Sequence, residues 1–188
     1  MKPEDNLFQH LSLSALSGLE NRLRYKKYRK RDFIIQENES VQYVYFIKSG
    51  LVKLSYVDHA AKEFILSFAF EEWWETDFSA FYNQSKATLT LQCLEDTEVY
   101  GLNYNDYLHM LKEPASSNYF LDKSIKGHIA NQRRILSLLT LSPKDRYEQF
   151  LALYPSLVER VPKSVLSLYL GVSRETLSRL YKSSHQEK

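Results

Sequence analysis

The sequence predicts an α+β protein with an N-terminal antiparallel β-roll (a double-stranded jelly-roll), a long dimerisation helix and a C-terminal helix-turn-helix. Three observations lead to this prediction. Short segments of alternating hydrophobicity follow one another between Phe33 and Leu102, as in an antiparallel roll. A helical pattern with one apolar stripe covers residues 116–140. Two short helical patterns separated by a glycine follow within residues 163–181. We place the domains accordingly at residues 1–115, 116–141 and 142–188.

The composition is typical of a soluble globular chain. Hydrophobic residues make up 44% of the 188 positions and charged residues 26%, and no apolar run approaches the ~20 residues that span a bilayer. The N-terminus lacks the basic-then-apolar layout of a signal peptide. Cys93 is the one cysteine, so neither an intrachain disulfide nor a cluster held by several thiolates can form within the chain. We therefore expect a cytoplasmic protein with no membrane partner.

The formal net charge is +2, and its distribution is uneven. Residues 142–188 hold 8 of the 25 Lys and Arg residues but only 5 of the 23 Asp and Glu residues. A small basic unit joined to a near-neutral body is typical of proteins that bind a polyanion. A surplus of three charges also arises by chance, so this observation alone leaves both interpretations open.

The chain begins with a predicted helix and a basic segment. Residues 5–20 place apolar side chains at helical spacing. The run Arg22–Arg31 then contains seven basic residues. It is either a solvated first strand of the roll or a second contact with DNA or with a protein partner.

Five further segments predict the strands of the roll. Residues 41–57 contain two strands around Ser49-Gly50, and the apolar residues of the second alternate with Lys53 and Ser55. The other three strands have the sequences EFILSFAF, TLTLQCL and TEVYGL. Trp73 and Trp74 lie between these strands, where they either line an effector pocket, pack in the core or form a flap.

Two helices are expected after the roll, a short one over Asn105–Lys112 and a longer one over residues 116–140. The longer helix carries a stripe with steps of three and four residues, which is typical of a coiled coil. A small roll cannot easily bury this stripe, so we expect a homodimer interface; the alternative is packing within the monomer. The predicted interface, in which the polar Gln132 can fix the register, comprises Leu121, Ile125, Ile129, Gln132, Leu136 and Leu139.

The C-terminal unit begins at Ser142-Pro143, a good N-cap followed by a proline that the first helical position tolerates. Its first helix directs Tyr147, Phe150, Leu151 and Leu153 inward. In the helix-turn-helix that follows, Gly171 allows the positive φ of the turn, and Ser167 is small where the two helices cross. The apolar residues that lock the motif are Leu166, Leu170, Val172, Leu177 and Leu180.

The second helix of this motif presents a polar face. Ser173 is a suitable cap, and Glu175 in the first turn suits the helix dipole. Arginine binds guanine O6 and N7 with two hydrogen bonds, glutamate accepts from cytosine N4, and hydroxyl groups reach phosphates or base edges. The predicted DNA-binding residues are therefore Ser173, Arg174, Glu175, Thr176, Ser178, Arg179 and Lys182. The alternative is a structural helical hairpin whose charges are merely solvated.

Over nearly all of its length the chain resembles the Crp/Fnr family of bacterial transcription regulators. These have an N-terminal helix, a cyclic-nucleotide-binding-like β-roll, a long dimer helix and a winged helix-turn-helix, in that order. The resemblance implies a homodimer on an inverted repeat in double-stranded DNA, base contacts by Arg174, Glu175 and Arg179, and RNA polymerase as a further partner. It is carried by YVYFIKSGLVKLSY, which is similar to the paired strands of the roll, by GVSRETLSRL, which is similar to the recognition helix, and by LLTLSPKDRYEQFLALYPSLVERVP, which resembles a short Bacteroidetes-type subgroup.

The segment EEWWETDFSAFYNQSKATLTLQ corresponds to the phosphate-binding cassette of family members that bind cyclic nucleotides. The resemblance places Glu75 at the sugar-binding position and Thr88 at the hydroxyl position. Ala87 stands where an arginine grips the phosphate, with Lys86 as a partial substitute. Because alanine cannot form the charge-assisted pair that a cyclic phosphate needs, we expect no regulation by cyclic AMP; the effector itself is not identified.

Competing functions have less support in the sequence. The five histidines are scattered rather than clustered as metal ligands, and the five glycines form neither of the usual nucleotide-cradling motifs. We therefore expect neither an enzyme, nor a metal site, nor a cofactor. The main alternative is a ligand-binding or protein-interaction module with a vestigial DNA-binding unit.

Overall fold

The computed structural model describes residues 21–186. The predicted helix over residues 5–20 lies outside the described residues. The described chain consists of a β-roll, a long helix and a C-terminal helical unit, so the predicted α+β class and the order of its parts are confirmed.

Eight strands in the described part of the chain form two four-stranded sheets, with the orders β1-β8-β3-β6 and β2-β7-β4-β5. All neighbouring strands are antiparallel, as predicted for a roll. The strands are β1 (Arg24–Tyr28), β2 (Phe33–Ile35), β3 (Tyr43–Ser49), β4 (Val52–Val57), β5 (Glu63–Ala69), β6 (Trp74–Glu75), β7 (Thr90–Cys93) and β8 (Thr97–Asn103).

The two strands around Gly50 are present, but they do not pair with each other. β3 pairs with β6 and β8, whereas β4 pairs with β5 and β7 in the other sheet. The chain passes between the sheets at Gly50, which has a φ of 106°. A Cβ atom at this position would lie 2.5 Å from Oγ1 of Thr97, so both the backbone conformation and the available space require glycine. The family resemblance led to the expectation that these two strands pair with each other, and the structure corrects this expectation.

The predicted alternation along β4 is also wrong, because β4 lies inside its sheet and is covered on both faces. Lys53 and Ser55 are buried together with their apolar neighbours. The ammonium group of Lys53 forms an ion pair with Glu63 on β5, which compensates for the loss of hydration of a buried charge.

The basic run forms β1, the edge strand of its sheet, so the interpretation as a solvated first strand is confirmed. Lys26 and Lys27 are exposed. Glu98 on β8 accepts hydrogen bonds from Lys27 and from Lys48, and these bonds lower the pKa of Glu98 to about 2. A second contact with DNA or a partner remains an untested alternative for this run.

The helices follow the predicted order. The apolar interior of the roll is closed by two short helices, and the long helix starts at Pro114, two residues before the predicted position, because proline is well tolerated in the first turn. A 3₁₀ turn at Pro155–Leu157 precedes the helix-turn-helix. The helices are α1 (Phe78–Asn83), α2 (Tyr104–Met110), α3 (Pro114–Thr140), α4 (Pro143–Leu153), α5 (Lys163–Leu170) and α6 (Arg174–Gln186).

The C-terminal unit has its own apolar core, and residues of the roll complete it. Tyr147 and Phe150 of α4 are buried as predicted. Leu51 and Leu94 of the roll belong to the same cluster, with Phe68 packed against it. Leu153, which was expected to point inward, is 39% exposed. The described part of this unit contains no strand, so the wing implied by the family resemblance is not found there.

The apolar lock of the helix-turn-helix yields a stability prediction. Leu177 is 1% exposed, so Leu177→Ala should lower the free energy of unfolding by about 2–5 kcal/mol, because it removes buried methyl groups and leaves a cavity. Urea denaturation followed by circular dichroism measures this change. Leu168, on the preceding helix and 40% exposed, is the matched control, and its replacement by Ala should cost less than about 1 kcal/mol. Equal losses for the two variants would contradict the placement of Leu177.

Candidate functional site

The helix-turn-helix has the geometry that its sequence predicts. Gly171 ends α5 with φ 64° and ψ 40°, in the left-handed region. Ser173 caps α6, because its Oγ accepts a hydrogen bond from the backbone N–H of Thr176 at 3.1 Å. Leu177 faces the core, whereas Leu180 and Tyr181 are partly buried against it. These contacts fix the direction in which the opposite face of α6 points.

That opposite face is open to solvent. Six of the predicted DNA-binding residues are exposed, namely Ser173, Arg174, Glu175, Ser178, Arg179 and Lys182. Together they form a surface with three cations and one carboxylate, which we call the polar face of α6. The pKa of Glu175 is lowered, first by the backbone N–H at the start of the helix and then by Ser173 and the adjacent arginines. Glu175 therefore stays an acceptor at neutral pH.

Ser173, which is exposed, and Thr176, which is half-buried, also form hydrogen bonds that stabilise the start of α6. The Oγ atoms of Ser173 and Thr176 lie 3.1 Å apart and are hydrogen-bonded to each other, in addition to the capping bond. Arg179 donates to Oγ1 of Thr176 at 3.4 Å, which directs the guanidinium along the helix surface. Ser173 and Thr176 thus hold the start of the polar face in place, and Ser173 is itself part of the exposed surface.

The predicted dimer stripe on α3 is exposed in the single chain. Leu121, Ile125, Ile129, Leu136 and Leu139 are 47% to 78% exposed. Gln132 is exposed between them, and Ile135 and Leu138 widen the apolar surface beyond the predicted stripe. Within residues 21–186, packing inside the monomer, the alternative interpretation, leaves these side chains about half exposed or more. A contiguous apolar surface of this kind marks an interaction site.

A cavity of about 580 Å³ lies between the roll, α3 and the C-terminal unit. The roll contributes Trp73, Trp74 and Glu75 to its walls, so both tryptophans line a cavity. That this cavity holds an effector stays a prediction. Trp74 also packs in the core, against Phe46 and Phe120. Trp74 therefore both lines the cavity and packs in the core.

The structure does not bring the three predicted effector residues together. Glu75 lines the cavity, whereas Lys86 and Thr88 do not. Lys86 is exposed next to a bridge to Ser40. The backbone N–H and the hydroxyl of Thr88 both donate to Oδ2 of Asp77, so this hydroxyl stabilises the loop around the buried Asp77.

Sequence reasoning missed the cavity residues contributed by the helical part of the chain. Lys123 and Arg134 of α3 and Tyr169 of α5 line the cavity. Arg134 donates to the carbonyl oxygens of Ile65 and Tyr169, at 2.7 and 2.9 Å. Its guanidinium lies 3.6 Å from the centre of the Tyr169 ring. In the sequence, these residues stand out only as basic positions beside the apolar stripe of α3. That pattern does not indicate which part of the chain they contact.

Glu75 has an unusual electrostatic environment. Its carboxylate accepts from the hydroxyl of Ser67 at 2.9 Å and from the backbone N–H of Thr76 at 3.1 Å. Loss of hydration outweighs these bonds and raises the pKa of Glu75 to about 7. Near neutral pH the group is therefore half protonated and can donate as well as accept.

Comparisons with known proteins agree with this architecture. Residues 25–113 match the family model of the cyclic nucleotide-binding domain. The fold is similar to that of FixK2 from Bradyrhizobium japonicum, with a TM-score of 0.77 and 18% identity over 88% of this chain and 85% of that one. The c-di-GMP-responsive global regulator CLP of Xanthomonas campestris gives a TM-score of 0.73 and 15% identity over 93% of this chain and 92% of that one.

A third solved structure, from Eubacterium rectale, is assigned to the Crp/Fnr family of transcriptional regulators. It gives a TM-score of 0.71 and 17% identity over 97% of this chain and 87% of that one. A search of curated proteins finds no match. The chain thus has a cyclic nucleotide-binding fold in its roll and the overall fold of Crp/Fnr regulator structures. Within the described residues, no helix combines the length and apolarity needed to cross a bilayer.

Glu75 generates a prediction about pH. In the unfolded chain a glutamate titrates near 4.5, and in the folded chain Glu75 titrates near 7. Its contribution to stability is therefore fully present below about pH 4.5 and is lost as the pH rises through 7, because the folded state must then bury the anion. Glu75→Gln stays neutral, so the stability of the variant relative to the parent should increase between about pH 5 and 8.

Denaturation midpoints measured across that pH range test this expectation. The matched control is Glu37→Gln, which makes the same replacement at an exposed position and should have little effect on stability. A stability difference for Glu75→Gln that is the same at both ends of the range would show that the carboxyl group is not desolvated.

Proposed function

We propose that this protein is a DNA-binding transcription regulator of the Crp/Fnr type, which acts in the cytoplasm as a homodimer on an inverted-repeat operator. The observation that carries the proposal is the polar face of α6, which a buried apolar lock holds outward on a helix-turn-helix. Its fold neighbours FixK2 and CLP support it by overall architecture, and CLP is a global regulator by its name. RNA polymerase is the natural further partner of such a regulator.

Dimerisation is supported by the exposed apolar stripe of α3. The stripe follows the spacing of a coiled coil, so two copies of α3 can bury it against each other. A twofold axis along α3 places two copies of α6 symmetrically, which matches an inverted repeat with half-sites about one duplex turn apart, ~34 Å. Residues 138–162 support a more specific assignment to the short Bacteroidetes-type subgroup.

The same site argues against the alternative of a vestigial DNA-binding unit. A helix that no longer binds DNA has no need to keep Arg174, Arg179 and Lys182 on one exposed face around a capped N-terminus. Arginines placed in this way suit guanine, and Glu175 suits the cytosine of a G·C pair. A TGTGA-like half-site, as in the family that the chain resembles, is the starting point for an operator search.

The first test concerns assembly. Replacing Ile129 and Leu136 together with Lys should convert a dimer to a monomer and abolish tight DNA binding, because four charges would then be buried at the interface. Light scattering measures the change in mass. The matched control is Tyr82→Lys, an equally exposed hydrophobic residue on α1 at 65%, which should leave the dimer intact. A parent protein that is monomeric at micromolar concentration would disprove the proposed interface.

The second test concerns DNA sequence. Arg179→Ala should weaken binding to the selected operator by ~1–3 kcal/mol and relax the preference at one G·C pair, because two hydrogen bonds to guanine are lost. Lys182→Ala should weaken binding to all sequences alike and lower the salt slope by about 1, as expected for a phosphate contact. Selection from a random DNA library with each variant measures both effects. If Arg174→Ala and Arg179→Ala each returned the parent motif, α6 would not be the base-reading helix.

The third test concerns cyclic AMP. Ala87 is buried in the core of the roll and supplies no guanidinium for a cyclic phosphate, so micromolar binding is not expected. Isothermal titration calorimetry with cyclic AMP and cyclic GMP measures this directly. A saturable heat at low micromolar nucleotide would overturn the expectation and return the roll to the cyclic-nucleotide sensors.

A further inference from the structure

The cavity between the roll and the helices has the size and position of a small-molecule site. Its volume of about 580 Å³ falls within the range of ~300–1,000 Å³ that is usual for such sites. All three parts of the chain contribute to its walls, with Glu75 from the roll, Lys123 from α3 and Tyr169 from α5. A molecule bound there would contact all three parts at once.

Aromatic side chains form a large part of the cavity wall. Phe70, Trp73, Trp74 and Phe120 line it, and aromatic surfaces favour flat or apolar ligand groups. Apart from Glu75, the roll presents few polar groups to the cavity. A sugar phosphate, with its many hydroxyl and phosphate oxygens, would leave the hydrogen-bonding groups that face the roll unpaired. Further polar groups of the wall lie on the side of α3, which contributes Ser124, His128 and Asn131.

The charged groups of the cavity favour an anion. The Lys123 ammonium is half-buried and lies 5.4 Å from the centre of the Trp73 ring. It donates one hydrogen bond, to the carbonyl oxygen of Glu72 at 2.9 Å, and forms no ion pair with a carboxylate in the described part of the chain. Burial and the neighbouring Lys126 lower the pKa of Lys123, which an anionic partner would reverse.

Two other titratable groups in the wall, Arg134 and Glu75, are less suited than Lys123 to pair with an anion. The Arg134 guanidinium is already engaged by two carbonyl oxygens and the Tyr169 ring. Glu75, whose pKa is raised by burial, carries a full charge only above neutral pH. Of Lys123, Arg134 and Glu75, Lys123 is therefore the one with both a positive charge and free donor capacity. His128 also lines the cavity, at an exposed position of α3.

We propose that this cavity binds an organic anion with a largely apolar body, of the aryl or acyl carboxylate class, whose anionic group pairs with Lys123 and whose body packs against Trp73 and Trp74. The proposal that the cavity binds this anion does not require that the protein binds DNA. A regulatory effect of such a ligand on DNA affinity rests on the function proposed above.

The two tryptophans provide the readout. They are the only two in the chain, and both line the cavity, so intrinsic fluorescence reports on its occupancy. The probes are 4-phenylbutyrate, its uncharged counterpart 4-phenylbutan-1-ol, and cyclic AMP as an anion with a polar body. With the full chain, 4-phenylbutyrate should change the emission saturably, with one site per chain and a dissociation constant of about a millimolar or below. The alcohol and cyclic AMP should bind about tenfold more weakly or not at all.

Variants of α3 locate the anion. Lys123→Met keeps the length and apolarity of the side chain but removes the charge, and should weaken 4-phenylbutyrate about tenfold while leaving the alcohol unchanged. Lys123→Arg should retain the binding of the acid. The matched control is Lys126→Met, because Lys126 lies on the same helix, is paired with Asp122 and does not line the cavity; this change should have little effect.

Three results would overturn the proposal: no saturable change with 4-phenylbutyrate up to about 10 mM, equal binding of the acid and the alcohol, or equal losses in Lys123→Met and Lys126→Met. Tighter binding of cyclic AMP than of 4-phenylbutyrate would assign the cavity to polar anions instead. Because no DNA is present in these titrations, a failure of operator binding would refute the proposed function without affecting this result.

Discussion

The contact on which the arrangement of the whole chain depends is the one made by Arg134. This residue projects from the long helix, donates to the carbonyl oxygen of Ile65 on β5, and donates to the carbonyl oxygen of Tyr169 near the end of α5. β5 is an edge strand, and the outer side of an edge strand presents backbone groups without a strand partner. Stacking on the Tyr169 ring at 3.6 Å allows the guanidinium to be largely buried, since the ring face and the two oxygens replace lost hydration. One side chain thus joins the roll, the long helix and the C-terminal unit.

The packing around this contact shows that the roll and the C-terminal unit are not independent in energetic terms. The ring of Phe68 on β5 lies 4.8 Å from that of Tyr169, in a tilted arrangement, and 6.4 Å from that of Phe150, edge to face. Leu51 and Leu94 of the roll lie in the core of the helical unit. Arg160 adds an ionic contact, with hydrogen bonds to both Glu71 and Glu95 of the roll. Because Glu71 also accepts from the backbone N–H of Gly50, the contact reaches the point where the chain crosses between the two sheets.

Much of the fold could be predicted from the sequence because it depends on local patterns. The helix-turn-helix follows from a glycine with positive φ, a capping serine and apolar spacing, all of which lie within residues 163–181. The partners of each strand could not be predicted, because a short run such as that around Gly50 does not encode whether its halves share a sheet. The ion pair of Lys53 was missed for the same reason, since burial of both faces depends on the neighbouring strands. For the cavity, the sequence pointed to Glu75 through a family resemblance. Lys123 and Tyr169 join it only through tertiary packing between segments far apart in the chain.

These contacts also explain how events in the roll can reach the polar face of α6. Tyr169 lies two residues before the turn at Gly171, and its ring contacts Arg134 and Phe68. The direction of α6 therefore depends on a ring that also lines the cavity. A buried cation–π contact contributes about 2 kcal/mol. If α6 had two orientations relative to the roll and the contact were lost in one of them, the ratio of their populations would change about thirtyfold. A molecule in the cavity shifts that ratio only if its contacts with Tyr169 differ between the arrangements. A ligand held by the roll alone would leave the ratio unchanged. For this reason the contribution of α5 to the cavity wall matters more for regulation than the volume of the cavity.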